Sequence, residues 1–257
     1  MQHLVIDNSN SRTKFAIGSD YGLMPWRHVM PTADISIESL SALEFPEFHQ
    51  VCVASVVPEK GSILVGHFRH HGPVHSLDHQ SPLGIFVDYP APDTIGADRL
   101  ANSVAAFERH GAPVIVVDFG TAVTFDVISA TPAYCGGVIA PGLAAMTGYL
   151  PERTALLPAI ELAEPESAIG KSTVAAMRAG AVFGYRGMIR EILLKITEEL
   201  GPARIVATGG DAELISQGLP EILHVDPDLT LQGILMVSRN LQSKHLRIGH
   251  AGRGNLS

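Results

Sequence analysis

The hydrophobic and polar positions of the chain form a pattern that occurs twice. Residues 4–6 are an apolar run that ends in Asp7 and several small polar residues. Residues 113–117 are a second such run, which ends in Asp118 and another polar turn. Each run predicts a buried strand, and the small polar residues behind it predict a turn. Return strands are predicted after the two turns, over residues 14–17 and 123–128.

The second copy lies 111 positions after the first. The aligned pairs are Asp7 with Asp118, Ser9 with Gly120 and Asn10 with Thr121. We interpret this match as a degenerate internal duplication. Two unrelated hairpins are the alternative, because strand–turn–strand segments are common. The duplication predicts an N-terminal half over residues 1–110 and a C-terminal half over residues 111–245, and we expect the polar tail, residues 246–257, to be mobile.

Further elements are predicted by the spacing of apolar residues. Long segments with helical spacing predict helices over residues 96–110, 173–200 and 229–242. Shorter segments predict helices at 40–46 and 58–68, and strands at 50–56, 136–142 and 205–207. Strands that alternate with helices in this way are typical of an α/β protein.

The composition is that of a packed globular protein. Of 257 residues, 46% are hydrophobic and 17% are charged, which argues against disorder. The formal net charge is -8, and because generic binding to nucleic acid or membrane needs a basic face, we expect neither partner. The two cysteines show no zinc-site spacing and no disulfide framework, so we expect a reducing, cytoplasmic setting. We expect no secretory signal and no membrane span.

The two polar turns are candidate phosphate-binding sites. Small residues let backbone N–H groups approach phosphate oxygens, and Lys14 adds a positive charge behind the first turn. A carboxylate in such a turn repels phosphate unless a cation lies between them, so Asp7 and Asp118 together predict Mg²⁺ or another cation with oxygen ligands. Each Asp taken singly is better explained as a turn residue that bonds its own backbone.

The segment 96–99, Gly-Ala-Asp-Arg, opens the first long helix. Asp98 is a candidate general base, and Arg99 beside it is a candidate clamp for a carboxylate or phosphate. This pair suits transfer of phosphate to an alcohol. The alternative for Asp98 is ordinary stabilisation of a helix start by a negative charge.

Two sets of glycines offer further hypotheses. Gly209 and Gly210 follow a strand and allow close approach of a flat ligand such as adenine, and a plain strand-to-helix turn is an equal alternative. A second set lies along one side of the helix predicted from Thr173, where it allows close contact with another helix, within the chain or in a second subunit. Its members are Gly180, Gly184 and Gly187, and Ile189, Leu193 and Ile196 offer apolar area further along.

These motifs, in this order and spacing, resemble type III pantothenate kinase, a bacterial enzyme of the acetate-kinase, sugar-kinase, heat-shock and actin superfamily. The resemblance covers nearly the whole chain. The motifs are Asp-x-x-Asn-x-x-x-Lys at 7–14, Gly-Ala-Asp-Arg at 96–99, Asp-Phe-Gly-Thr-Ala-x-Thr-x-Asp at 118–126, Gly-Gly-x-Ile-x-Pro-Gly at 136–142, Ser-Thr at 172–173 and Thr-Gly-Gly at 208–210.

The resemblance implies a fold and a reaction. The fold would be two ribonuclease-H-like halves, as in actin-like ATPases, around a nucleotide cleft. The reaction would be ATP-dependent phosphorylation of pantothenate, the first step of coenzyme A synthesis, in a homodimer with shared active sites. A non-catalytic transcriptional accessory factor on the same fold and a kinase of another small alcohol are the alternatives.

The resemblance also implies roles for single residues. Asp98 would be the catalytic base, Asp118 would bind a monovalent cation, K⁺ or NH₄⁺, and Thr173 would reach pantothenate from the second subunit. The rest of the pantothenate site would comprise Tyr89, Gly96, Ala97 and Arg99. ATP would contact Asp7, Asn8, Ser9, Asn10, Ser11, Arg12, Thr13, Lys14, Thr121, Gly209 and Gly210. The family usually has glycine at the position of Ser9, so we expect a strained turn there and weaker ATP binding.

Overall fold

The structure, a computed structural model, describes the backbone of residues 1–251 and the side chains of residues 1–242. It divides into two compact units. The first comprises Met1–Arg109 and the chain from Asp228 onward, and the second comprises His110–Pro227. No helix within the described residues combines the length and the apolar character needed to cross a membrane.

A mixed sheet forms the centre of the first unit. Its strands follow one another in the order β3-β2-β1-β4-β5, where β1 is antiparallel to β2 and parallel to β4. The strand bounds are β1 His3–Asn8, β2 Arg12–Ser19, β3 Gly22–Pro31, β4 Gln50–Ser55 and β5 Val74–Ser76, and a short strand β6 follows at Phe86–Val87.

The second unit repeats this topology. Its strands follow one another in the order β9-β8-β7-β10-β11, where β7 is antiparallel to β8 and parallel to β10. β1 and β7 have equal length and begin at residues 3 and 114, as the internal duplication predicts. The strand bounds are β7 Val114–Phe119, β8 Ala122–Ile128, β9 Ala133–Pro141, β10 Arg204–Thr208 and β11 His224–Val225.

The helices start and end at local signals in the sequence. Ser36 and Ser39 form a capping box at the start of α1, and the hydroxyl of Ser172 accepts a hydrogen bond from Ala175 N at the start of α5. Gly201, with φ of 85°, ends α5. The helix bounds are α1 Ile37–Ser41, α2 Pro58–Phe68, α3 Ala97–His110, α4 Leu143–Arg153, α5 Thr173–Leu200, α6 Ala212–Ser216 and α7 Leu229–Ala251.

Helix α7 corrects the predicted division of the chain, which placed residues up to 245 in the C-terminal half. It packs on β1, β3 and β4 of the first unit. Ser238 Oγ lies 2.9 Å from His3 Nδ1, and Gln50 Nε2 donates to it over 2.8 Å. The predicted end of this helix at 242 is too early, because it continues to Ala251. The rest of the predicted mobile tail lies outside the described residues.

Each unit has its own hydrophobic core. The core of the first unit includes Leu4, Ile6 and Phe15 from the hairpin β1–β2. The core of the second unit includes the corresponding side chains of β7, together with residues from α5 such as Tyr185 and Ile189. The buried strands β1 and β7 therefore each carry an aspartate next to their last residue, Asp7 and Asp118, at positions fixed by the core of their own unit.

Candidate active site

The turn between β1 and β2 holds a buried carboxylate beside a lysine. Asp7 lies opposite Lys14 in the antiparallel pair, and Lys14 Nζ is 3.5 Å from Asp7 Oδ2. Ser9 Oγ donates to Asp7 Oδ1 over 2.7 Å. Each oxygen of Asp7 therefore has a partner from its own turn, and Lys14 brings positive charge to this end of the strand.

Ser9 is not strained, so the expected strain at this position is wrong. Among the described residues, no residue other than glycine has a positive φ. Ser9 N donates to Arg12 O over 3.3 Å and closes the turn with an ordinary backbone conformation. The side chain of Ser9 turns toward Asp7, within hydrogen-bonding distance of its carboxylate.

Buried hydroxyl and amide groups support the turn. Asn8 Nδ2 donates to Thr13 Oγ1 over 2.8 Å, and Thr13 Oγ1 lies 3.0 Å from Thr32 Oγ1. Thr32 Oγ1 donates to Ser9 O over 2.7 Å, and Thr32 N donates to Ser11 O over 3.1 Å. Thr32 lies outside every motif, so sequence reasoning missed it.

The eight predicted nucleotide-binding residues of this turn differ in exposure. Asp7, Asn8 and Thr13 are buried, and Ser9 and Lys14 are half-buried. Solvent reaches the tip of the turn, where Asn10, Ser11 and Arg12 are exposed. The tip is therefore the part of the turn that is available to a ligand.

The start of α3 presents the carboxylate of Asp98. Arg99 N donates to Asp98 Oδ1 over 2.8 Å, and both side chains are half-buried. A Cβ atom on Gly96 would lie 2.5 Å from Asp98 Oδ1 and 3.4 Å from Val56 Cγ1. Glycine at position 96 therefore leaves the space that the carboxylate occupies.

Two other predicted acceptor-site residues differ in exposure. Tyr89 is 37% exposed and precedes the short 3₁₀ turn Pro92–Thr94, which leads to α3. Ala97 is only 7% exposed, so its methyl group belongs to the core of the first unit. Ala97 would contribute its backbone to a ligand, because its side chain is buried.

In the second unit, Asp118 lies within a row of oxygen-bearing side chains. It is paired with Thr124 of β8 and with Thr208 of β10, and cross-strand partners share one face of a sheet. Gly120 N donates to Ala122 O over 3.1 Å and closes the turn, so that Thr121 is exposed at its tip. Carboxylate and hydroxyl oxygens of this kind are ligands for hard cations.

Gly209 and Gly210 have different environments. Gly209 has φ of 94°, and a Cβ atom there would lie 2.5 Å from Phe119 O. Around Gly210, no atom of the described residues other than those of its two chain neighbours lies within 4 Å of the position that a Cβ atom would take. The nearby Asp211 donates its N–H to Phe119 O over 3.3 Å, and burial raises the pKa of its carboxyl. Gly209 is therefore required by the turn itself, whereas Gly210 leaves open space for a ligand.

Helix α5 presents its glycines to solvent. Gly180, Gly184 and Gly187 are exposed. Apart from chain neighbours and the backbone of the helix itself, no described atom lies within 4 Å of a Cβ atom on Gly180 or Gly187. Thr173 at the helix start is also exposed. Ile189 and Leu193, which we expected beside the glycines, are buried in the core of the second unit. The exposed large apolar side chains of α5 are Val174 and Phe183, each 38% exposed, and Leu194, 50% exposed.

Sequence comparison identifies close relatives. A sequence model described as type III pantothenate kinase matches residues 3–195. The type III pantothenate kinase of Akkermansia muciniphila is 53% identical over 237 residues, which cover 91% of this chain and 97% of that protein. The type III pantothenate kinase of Methylacidiphilum infernorum is 43% identical over 242 residues, which cover 93% of this chain and 88% of that protein.

Solved structures share the fold at low sequence identity. A Campylobacter jejuni protein described as a member of the Baf family of transcriptional activators has a TM-score of 0.62 at 18% identity, and the match covers 93% of this chain and 99% of that one. The activator of 2-hydroxyisocaproyl-CoA dehydratase from Clostridium difficile, with bound ADPNP, has a TM-score of 0.52 at 10% identity over the whole of both chains. The predicted fold class, two α/β halves with a shared topology, is confirmed. By the match of the sequence model and the identity to these relatives, the chain belongs to the type III pantothenate kinase family.

Proposed function

We propose that this protein uses ATP to phosphorylate pantothenate to 4'-phosphopantothenate, the first step of coenzyme A biosynthesis. The observation that carries this proposal is the half-buried carboxylate of Asp98, which the start of α3 presents next to Arg99 in a member of a kinase family. A carboxylate at this position suits removal of a proton from an alcohol.

In the proposed reaction, the primary hydroxyl oxygen of pantothenate forms a bond to the γ-phosphorus of ATP. The bond between that phosphorus and the β–γ bridging oxygen breaks, and ADP leaves. Asp98 accepts the hydroxyl proton, and Arg99 binds an anionic group of the substrate as a planar fork. Gly96, Ala97 and Tyr89 complete the acceptor site.

The proposed nucleotide contacts are the exposed positions of the two polar turns and the Gly-Gly pair. The exposed tip of the β1–β2 turn offers backbone N–H groups and Arg12, and Lys14 adds positive charge. Thr121 and Gly210 are the corresponding exposed positions of the second unit. Mg²⁺ bound to the phosphates would neutralise the charge that develops during transfer.

Asp118 is the proposed ligand of a monovalent cation, K⁺ or NH₄⁺. Its support is the donor set, because Thr124 and Thr208 flank the carboxylate with hydroxyl oxygens on the same face. Such a cation would offset the repulsion between this carboxylate and a phosphate group.

The active form is proposed to be a cytoplasmic homodimer with shared active sites. The support is an exposed stripe formed by Gly180, Gly184 and Gly187. In the described part of the chain, no other element packs against Gly180 or Gly187. Thr173 begins the same helix, and the proposal is that its hydroxyl reaches the partner's pantothenate across this contact. Both cysteines are free thiols, which suits a reducing compartment.

The test is a coupled assay for ADP release with ATP, Mg²⁺, K⁺ and pantothenate. Wild-type protein should release ADP only when pantothenate is present. Asp98→Asn should lower kcat by about 10² to 10⁴, because it keeps the shape and removes the base. Glu108→Gln, an exposed carboxylate at the other end of α3, is the matched control and should keep wild-type kcat. Equal rates for wild type and Asp98→Asn would remove Asp98 from the mechanism.

A further inference from the structure

Two parallel strands of the first unit end side by side at the candidate site. β1 and β4 are parallel neighbours, and their last residues, Asn8 and Ser55, are register partners. Asn8 leads into the β1–β2 turn, which is proposed to bind the ATP phosphates and is called the phosphate turn below. Ser55 leads into the segment Val56–Val57. Ser55 belongs to none of the motifs that indicate phosphate transfer.

The hydroxyl of Ser55 donates one hydrogen bond and accepts another. Ser55 Oγ donates to Asn8 Oδ1 over 2.7 Å and accepts a hydrogen bond from Val57 N over 3.2 Å. Asn8 is buried, and its amide nitrogen donates to Thr13 Oγ1 within the phosphate turn. One hydroxyl group therefore fixes the orientation of the Asn8 amide and the backbone of the next segment.

That next segment lies beside Gly96, the residue that precedes α3. Val56 N donates to Asn8 O over 3.1 Å, which extends the pairing of the two strands by one residue. Val56 Cγ1 lies 3.4 Å from the position that a Cβ atom on Gly96 would take, and the same position lies 2.5 Å from Asp98 Oδ1. Hydrogen bonds therefore join Asn8 to Ser55 and Val56, and the side chain of Val56 lies beside Gly96, the residue that leaves space for the carboxylate of Asp98.

The surroundings of Ser55 favour a small hydroxyl side chain. Gly61 of α2 packs against it so closely that a Cβ atom on Gly61 would lie 2.6 Å from Ser55 Oγ. Alanine at position 55 would fit this space, but it would leave the buried Asn8 Oδ1 without the donor that Ser55 supplies.

We infer that Ser55 is a positioning residue that couples the phosphate turn to the start of α3, which carries Asp98. The inference rests on the proposed function as far as the role of Asp98 is concerned. The expected effect of Ser55 on the β1–β2 turn requires only that the protein binds ATP. Ser55 acts through Asn8 and Val56 and contacts neither substrate in this account. Displacement of reacting groups by about 1 Å can lower a rate about 10²-fold, so a loosened link should affect the chemical step.

The test compares Ser55→Ala with Ser238→Ala. Ser238 is a buried serine whose hydroxyl bonds to His3 and Gln50, the first residues of the same two strands. Each variant loses a hydroxyl that bonds to the β1–β4 pair, Ser55→Ala at the carboxyl ends of the strands and Ser238→Ala, from α7, at their amino ends. They should therefore lower the urea midpoint of unfolding by similar amounts.

Only Ser55→Ala should change the functional readouts. The dissociation constant for MgATP, measured by titration calorimetry without pantothenate, should rise at least fivefold, and kcat with pantothenate should fall at least tenfold. Ser238→Ala should stay within twofold of wild type in both. If Ser55→Ala fails to fold, Ser55→Cys keeps a weaker donor of similar size and should give intermediate values.

The outcomes separate this inference from the proposed function. Wild-type protein that binds MgATP but does not phosphorylate pantothenate would contradict the proposed function, and the calorimetric comparison would still decide the role of Ser55. An active wild type with Ser55→Ala within twofold of it in MgATP affinity and kcat would overturn the inference. Equal losses in Ser55→Ala and Ser238→Ala would overturn it as well, because they would indicate a general loss of stability.

Discussion

Replacement of Gly209 by alanine tests whether the Thr-Gly-Gly motif serves the fold or the ligand. Gly209 follows β10 with φ of 94°, a conformation that side-chain-bearing residues rarely adopt. A methyl group there would lie 2.5 Å from Phe119 O and 2.6 Å from Phe119 C and Phe119 N. Alanine would therefore strain the backbone and also displace the end of β7.

The cost has two parts. The left-handed backbone costs about 1–2 kcal/mol for a residue with a Cβ atom. Relief of the overlap with Phe119 requires a shift of the backbone, and overpacking of this kind costs about 1–3 kcal/mol. The expected loss is therefore about 2–5 kcal/mol, from a total stability on the order of 5–15 kcal/mol for a typical domain.

The assay is urea unfolding followed by far-ultraviolet circular dichroism, with Gly210→Ala as the control. Gly210 has open space around its Cβ position and no positive φ, so alanine there should change the free energy of unfolding by less than about 0.5 kcal/mol. The same control should raise KM for ATP if adenine approaches this position. Equal unfolding midpoints for Gly209→Ala and wild type would refute the argument from the turn.

Four further predictions concern the turn, the cation, the interface and pH. Ser9→Gly should raise KM for ATP in steady-state kinetics, because it removes the hydroxyl bonded to Asp7 and adds backbone freedom at an unstrained position; a lower KM would show that Ser9 obstructs ATP. K⁺ should raise kcat and Na⁺ should do so poorly, and equal rates with and without K⁺ would remove the cation role of Asp118. Thr173→Val should raise KM for pantothenate more than KM for ATP, because it removes a hydrogen bond to pantothenate that contributes about 0.5–1.5 kcal/mol. A monomer in light scattering would contradict the shared site. Burial lowers the pKa of His3 from 6.5 to about 4. The unfolded chain therefore binds more protons between these values, and the free energy of unfolding should fall as pH falls from 6.5 to 4. In His3→Gln the free energy of unfolding should change less between pH 6.5 and pH 4. An unchanged pH dependence would exclude His3 as its source.

Elements with local signals could be predicted from the sequence. The bounds of α2 and α5 match their predicted ranges, because helical spacing, a first-turn proline in α2 and a serine cap in α5 lie within the segments themselves. Strand β3 was missed, because Pro25 interrupts its pattern. As an edge strand of its sheet, β3 tolerates a proline that a central strand would not. Helix α4 was missed for a similar reason, since it contains Pro151.

The site could be predicted only where its residues are close in sequence. The turns at Asp7 and Asp118 and the helix start at Asp98 were found from short motifs. Thr32 and Ser55 were not found, because their bonds to the phosphate turn span 23 and 47 residues and exist only in the folded sheet. The expected strain at Ser9 was wrong. The presence of serine where the family usually has glycine does not by itself determine φ, and Ser9 does not adopt a positive φ.

The central claim is most directly tested by following the γ-phosphate itself. Wild-type protein is incubated with γ-labelled ATP, Mg²⁺, K⁺ and pantothenate, and the products are separated by chromatography. The label should move to 4'-phosphopantothenate in equal amount with the ADP formed, and Asp98→Asn should abolish most of this transfer. Label found only in ATP or in free phosphate, from protein that binds MgATP, would contradict phosphate transfer to pantothenate.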